Sequence, residues 1–198
     1  MPGEILTIGH SNHPIDLFLK LLKQHKVEVV VDTRSQPSSK YSPQYDGRTL
    51  KKVLIQYGIR YLYLGKELGG RPAGKEFYDS EGHVLYSLVA KTPLFVQGIE
   101  RLEKGIQHRR VVLLCSEESP AGCHRRLLVG RVLLQRGTRV DHIRGDGRLE
   151  TEEDVVREQE KDYPAARQLT LFEQADTLAW RSIPSVLPKK RLSNSSGR

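Results

Sequence analysis

The chain has 198 residues, enough for one domain with a real core plus extensions and cramped for two. Charged residues make up 28% and hydrophobic ones 37%, which fits a soluble globular protein, and no apolar run approaches the ~20 residues that span a bilayer. Lys and Arg number 32 against 24 Asp and Glu, a net charge of +8 that suits polyanionic partners, while two cysteines are too few for a disulfide scaffold.

The opening MPGEILTIGH has neither a basic n-region nor a long apolar h-region, so a cytoplasmic protein is expected. Apolar runs at 5–8, 27–31, 59–64, 111–114 and 138–143 predict five strands. Between them, Ile15, Leu17, Phe18, Leu21 and Leu22 recur at helical spacing, as do Leu50, Val53, Leu54 and Tyr57, and then Leu94, Ile99, Leu102 and Ile106. A short helix is expected within 84–89, another helix over 127–134, and a charged one over 151–161, where Thr151 and Asp154 come close to a capping box. Strands alternating with crossover helices predict an α/β domain, with a mostly parallel sheet of about five strands and helices on both faces. That domain is placed at 1–163, followed over 164–198 by a weakly ordered basic tail, in which 168–172 is a possible docking segment.

In such sheets ligands bind beyond the carboxyl ends of the strands, and the polar residues fall there. His10 and Ser11 follow the first strand, Asp32 and Arg34 end the second, Arg71 follows the third after a loop, and Cys115 and Glu117 end the fourth. Ser119 and Pro120 read as N-cap and first helical residue, which puts Cys123, His124 and Arg125 in the opening turns, where free N–H groups favour anions. Two irregular stretches, 34–47 and 65–82, are long enough to cover a site.

The segment VVLLCSEESPAGCHRRLLV carries the motif C-x-E-x-x-P-x-x-C-H-R at Cys115, Glu117, Pro120, Cys123, His124 and Arg125. With TIGHS at 7–11, VDTR at 31–34 and LGGRP at 68–72, it resembles the domain of unknown function family 488 over roughly 5–145. Four motifs in the right order make the resemblance specific. It bears on fold and site more than on reaction, since the family name assigns no biochemical role.

Each candidate has a structural alternative. Cys115 is either a nucleophile, with His10 or His124 as its base, or a small hydrophobe walling a pocket. Cys123 has the better electrostatic setting, against simple burial. Asp32 and Arg34 leave a strand on one face, either as a fixed ion pair or as a base and an anion ligand. Arg125 is a second anion ligand or packs against an acid. The C-x7-C-H spacing is poor for metal, because adjacent Cys123 and His124 would leave a helix on different faces, so no metal is expected. No cofactor is expected either: GGRPAGK at 69–75 has Glu76 where a phosphate loop needs Ser or Thr, and TIGHSNH lacks the dinucleotide glycines. Tyr41, Tyr45, Tyr61 and Tyr63 beside Arg34, Lys40, Arg48 and Arg60 suit either stacked single-stranded bases or a surface over the core edge.

Taken together, the expected function is an enzyme acting on a phosphorylated substrate, a nucleotide or nucleic acid. Arg34, Arg71 and Arg125 would bind anions, with Ser11, Cys123 and His124 beside them, and His10, Asp32, Cys115 and Glu117 would carry the chemistry. A thiol redox or sulfur-transfer protein using Cys115 and Cys123, and a non-enzymatic nucleic-acid-binding module, are the alternatives.

Overall fold

The computed structural model of the protein describes residues 3–38, 41–162 and 180–183. The chain runs through β1 (Glu4–Gly9), α1 (Ile15–Gln24), β2 (Val29–Asp32), α2 (Gly47–Gln56), β3 (Arg60–Tyr63), α3 (Gly65–Leu68), α4 (Tyr86–Val89) and α5 (Pro93–Ile106). It continues through β4 (Val111–Cys115), a π-helical segment (Arg125–Gly130) that leads directly into α6 (Arg131–Gln135), β5 (Arg139–Ile143), β6 (Leu149–Thr151) and α7 (Glu152–Asp162).

The strands form one sheet in the order β3-β2-β4-β1-β5-β6. The five anticipated strands pair in parallel, and β6 adds an antiparallel edge against β5 through Asp141 and Thr151, His142 and Glu150, and Ile143 and Leu149. The expected mostly parallel sheet of about five strands is present, with β6 as a sixth. Three residues with no apolar run carry no periodic signal, and β6 exists because the 144–148 turn returns the chain, with Gly147 at φ 90° and Arg144 N–H bonded to the Arg148 carbonyl.

Alternate residues of the parallel strands point to opposite faces. One face buries Leu6, Ile8, Val30, Val112 and Leu114 against α1 and α2, through Phe18, Leu22, Leu50 and Leu54. The other buries Ile5, Val31, Val111, Leu113 and Val140 against α3, α5 and α6, through Leu68, Phe95, Ile99, Leu102 and Leu133. Burial on both sides is why these strands read as continuous apolar runs. Side chains cap three of the described helices: Asp46 accepts from Arg48 N–H, Thr92 accepts from Phe95 N–H, and Thr151 and Asp154 each accept from the other's N–H.

Two expectations are corrected. The helix after β4 does not start at Ser119 and Pro120, because residues 120–123 form a turn closed by Cys123 N–H on the Pro120 carbonyl, and helical structure begins at His124. The region read as a tail also contains a docked piece: Trp180 donates to the Leu127 carbonyl, Arg181 bridges to Leu85, and Ser182 accepts from Val84 N–H. The segment 168–172 lies outside the described residues. Among the described residues, no helix is long and apolar enough to cross a membrane.

The chain leaves β2 for β3 on one side and β4 for β5 on the other, so its connections diverge between the carboxyl ends of β2 and β4. This divergence opens a crevice where Arg34 and Cys115 emerge.

Candidate functional site

The first layer of the site is built from β2. Asp32 is fully buried and takes Arg34 Nε at 2.9 Å and Nη2 at 2.6 Å, a bidentate pair that fixes the guanidinium plane. Tyr61 donates to the same carboxylate at 2.7 Å, and Arg34 Nη1 lies 3.1 Å from His10 Nε2. His10 is stacked on Tyr45 with its Nδ1 2.8 Å from the Ser11 carbonyl, so the neutral ring donates there and accepts from Arg34. Burial, with Arg34 adding to it, holds the His10 pKa below its ordinary value. Burial alone would lower the Arg34 pKa, but the Asp32 hydrogen bond and charge raise it. These three bonds account for three of the five guanidinium N–H groups.

The second layer is the loop after β4. Arg125 is completely buried, and its guanidinium donates to the Glu117 carbonyl, to the Glu118 carbonyl at 2.6 Å and to Thr7 Oγ1 at 3.2 Å. It shapes the loop instead of facing a ligand. Across from it, His10 N–H and Ser11 N–H bond the carbonyls of Cys115 and Ser116, with Ser11 at φ 44°. A Cβ on Gly9 would overlap the Glu117 carbonyl, so only glycine lets β1 pass beneath this loop.

The third layer is the cluster that the loop presents. Cys115 Sγ lies 3.6 Å and Cys123 Sγ 3.9 Å from His124 Nδ1, and these three atoms all lie within 4.8 Å of one another. His124 Nε2–H donates to the Thr33 carbonyl at 3.1 Å, and this bond aims Nδ1 at the sulfurs. Cys123 and His124 converge because Cys123 precedes the helix, so the divergence expected of two helical neighbours does not arise. The hydrogen bond from Cys123 carries the Cys115 thiol well below its ordinary pKa against burial, with the His124 and Arg125 charges helping. Cys123 moves the other way, through burial and its bond to Cys115. Burial opposes protonation of His124, yet the Cys115 charge raises its pKa; burial and that same charge raise Glu117. These shifts favour the thiolate form of Cys115 and the protonated forms of His124 and Glu117 relative to the free groups.

These groups open into a cleft of about 290 Å³ lined by Arg34, Arg71, Cys115, Glu117, His124 and Tyr86, among others. Arg71 is held by its N–H bond to Ser35 Oγ, and a Cβ on Gly70 would press on the His124 ring, which explains the glycines of LGGRP. His10, Ser11, Asp32, Cys123 and Arg125 do not line the cleft; they stand behind residues that do. Tyr45, Tyr61 and Tyr63 are held by His10, Asp32 and the Ser35 carbonyl, and only Tyr41 of the four, 98% exposed, is free to stack. Thr33 and Ser182 were missed. Thr33 acts through its backbone carbonyl, which sequence does not display, and Ser182 reaches the cleft from the segment read as a tail. A second group, Asp79, Glu81 and His83, could also face a cation, but Arg181 bonds Asp79 at 2.6 Å and Glu81 at 3.2 Å.

No curated protein and no solved structure matches the chain. The model of a domain of unknown function, DUF488, matches residues 14–132, which carry β2, β3, β4 and every cleft residue named above except Ser182, while the TIGHS glycine and histidine precede it. With more than half of its length matched by that model, the chain belongs to the DUF488 family.

Proposed function

We propose that the protein is a phosphoester-cleaving enzyme that uses Cys115 as nucleophile on a small phosphorylated substrate. The observation that carries this reading is the Cys115–His124 pair opening into a cleft that also presents Arg34 and Arg71. The cationic wall suits phosphoryl oxygens, and the volume suits one phosphoryl group and a compact leaving group better than a nucleic-acid duplex. In the first step the Cys115 thiolate attacks phosphorus, an S–P bond forms, and the P–O ester bond breaks. The leaving oxygen takes a proton from the Glu117 carboxyl, which burial and the Cys115 charge bias toward its protonated form. Water, deprotonated by the Glu117 carboxylate, then attacks phosphorus; the S–P bond breaks, and thiolate and inorganic phosphate are released. Arg34 and Arg71 hold the phosphoryl oxygens through both steps.

The test uses p-nitrophenyl phosphate and phenyl phosphate as probes. Cys115→Ser is expected to abolish turnover of both, and inorganic phosphate to protect Cys115 from iodoacetamide. Glu117→Gln should slow phenyl phosphate at least tenfold more than p-nitrophenyl phosphate, whose better leaving group needs less protonation. If neither ester turns over and phosphate gives no protection, the proposal fails.

Cys123 beside Cys115 supports a second reading, a sulfur-transfer protein in which a sulfane-sulfur donor leaves a persulfide on Cys115; Cys123 then attacks Cys115 Sγ, the Cys115–Cys123 bond forms, the persulfide S–S bond breaks and hydrosulfide leaves. Cys123→Ser separates the two, since in the first it slows phosphoester cleavage only as far as the Cys115 thiolate fraction falls, an effect that higher pH reverses, and in the second it loses all chemistry at every pH.

A further inference from the structure

We propose that Cys115, Cys123 and His124 form a binding site for a thiophilic divalent ion of the zinc class, with one coordination position open to the cleft. A tetrahedral ion with Zn–S bonds of about 2.3 Å and Zn–N bonds of about 2.0–2.1 Å sets its sulfur and nitrogen ligands about 3.5 Å apart. The two sulfurs lie 3.6 and 3.9 Å from His124 Nδ1, within a few tenths of an ångström of that spacing, and all three ligand atoms fall within 4.8 Å of one another, so an ion enters with shifts of no more than about 1 Å between the sulfurs.

The His124 ring is already set for this role. Its Nε2–H points to the Thr33 carbonyl at 3.1 Å, the outer contact that orients most metal-binding histidines, so Nδ1 faces the sulfurs and the ion displaces the proton that Nδ1 shares with Cys115. Thr33 is itself pinned by N–H and Oγ1 bonds to the Leu114 carbonyl, and Gly70 packs so close to the ring that a Cβ there would overlap it. Two thiolates and an imidazole select zinc-class ions over magnesium or calcium, whose ligands are oxygens. Cys115 and His124 both line the cleft, so the fourth position faces Arg34, Arg71 and Glu117, where water or an anionic ligand completes the shell.

The inference goes beyond the phosphoester reading and constrains it. A coordinated Cys115 sulfur is not a free nucleophile, so ion and phosphoryl group compete for it, and metal loading switches the thiolate chemistry off.

The experiment uses the full chain. Protein stripped with a chelator is titrated with Co²⁺, and with Zn²⁺ in competition. One ion per chain is expected, with near-ultraviolet thiolate-to-cobalt absorption and the intense visible bands of tetrahedral Co²⁺. Cys123→Ser should weaken binding at least tenfold and reduce the charge-transfer band. Because a cysteine variant can perturb the fold, the wild-type chain supplies an independent readout: one equivalent of Zn²⁺ should slow Cys115 alkylation at least tenfold, and chelator should restore it. Absence of a charge-transfer band together with unchanged alkylation overturns the proposal. If that occurs while stripped protein still cleaves phosphoesters, the metal site fails alone. A stoichiometric cobalt band in a protein whose stripped form has an unreactive Cys115 supports the site and removes the nucleophile.

Discussion

At the residue scale, the site is set by close approaches and by a few charge-assisted bonds. Gly9→Ala should cost roughly 2–4 kcal/mol in urea unfolding, because a Cβ meets the Glu117 carbonyl and the loop must shift. Gly122→Ala, where nothing lies within 4 Å, should stay within about 0.5 kcal/mol. Equal effects would show that the loop yields freely and that Gly9 has no special place. Arg34→Lys retains the charge but loses the fork that Asp32 holds, so phosphate protection of Cys115 should weaken about tenfold or more. In metal-free protein, Cys115 alkylation should persist as pH falls well below an ordinary thiol's pKa, since the thiolate form persists there. Its midpoint should move upward in Cys123→Ser, because the Cys123 hydrogen bond is the largest cause of the lowering and a serine hydroxyl replaces it imperfectly. An unchanged midpoint would assign the lowering to His124 and Arg125 instead. Sequence named most of these residues because their chemistry is in the side chain. It could not separate the residues that face the cleft from those that hold them: Arg34 and Arg125 are both buried arginines near strand ends, and only hydrogen-bond partners distinguish them.

At the element scale, α7 docks through a charged contact that the sequence shows only in part. Thr151 and Asp154 are visible as a cap, and they cap the helix reciprocally. The anchoring is not local: Arg126 in the π-helical segment bonds Glu152 at 2.8 and 2.9 Å, and His142 on β5 lies 3.3 Å from the same carboxylate. Burial would raise the Glu152 pKa, but the His142 and Arg126 hydrogen bonds outweigh it and the value is lowered. A depressed folded-state pKa contributes stability that is complete above the unfolded carboxylate value near 4.5 and is lost as pH falls through the folded one. Glu152→Gln should therefore cost about 1–3 kcal/mol at pH 7 and progressively less below about pH 4.5, measured by thermal or urea unfolding across that range. A cost independent of pH would mean that packing, not the charge, holds the helix. The strands and long helices were legible because burial on two faces or one leaves a periodic trace. The late helix start at His124 was not, since Ser119–Pro120 imitates a cap while the Pro120–Cys123 turn takes its place.

At the scale of the whole molecule, the net charge of +8 and the small cleft point to different ligand sizes. Residues 184–198 contain Lys189, Lys190, Arg191 and Arg198 and no acidic residue, so removing them takes the chain from +8 to +4. The docked residues 180–183 stay in place under that truncation, with Trp180 bonded to Leu127 and Ser182 lining the cleft. A chain ending at residue 183 should thus cleave p-nitrophenyl phosphate at an unchanged rate, while its binding to a labelled single-stranded oligonucleotide weakens and loses salt dependence. Each phosphate that the shortened chain no longer neutralises reduces the slope of log affinity against log salt by about 0.7, so up to about 3 units can disappear if all four cations pair with phosphates. Ending the chain at residue 179 instead removes Trp180 and the Ser182 wall, so it should lower stability by about 1–3 kcal/mol and slow the ester cleavage as well. If the full chain binds no oligonucleotide at low ionic strength, the polyanion partner is eliminated and the basic terminus needs another explanation. If truncation at 183 abolishes ester cleavage, the cleft is not complete without that terminus, and the separation between a small-substrate site and a charged extension is wrong.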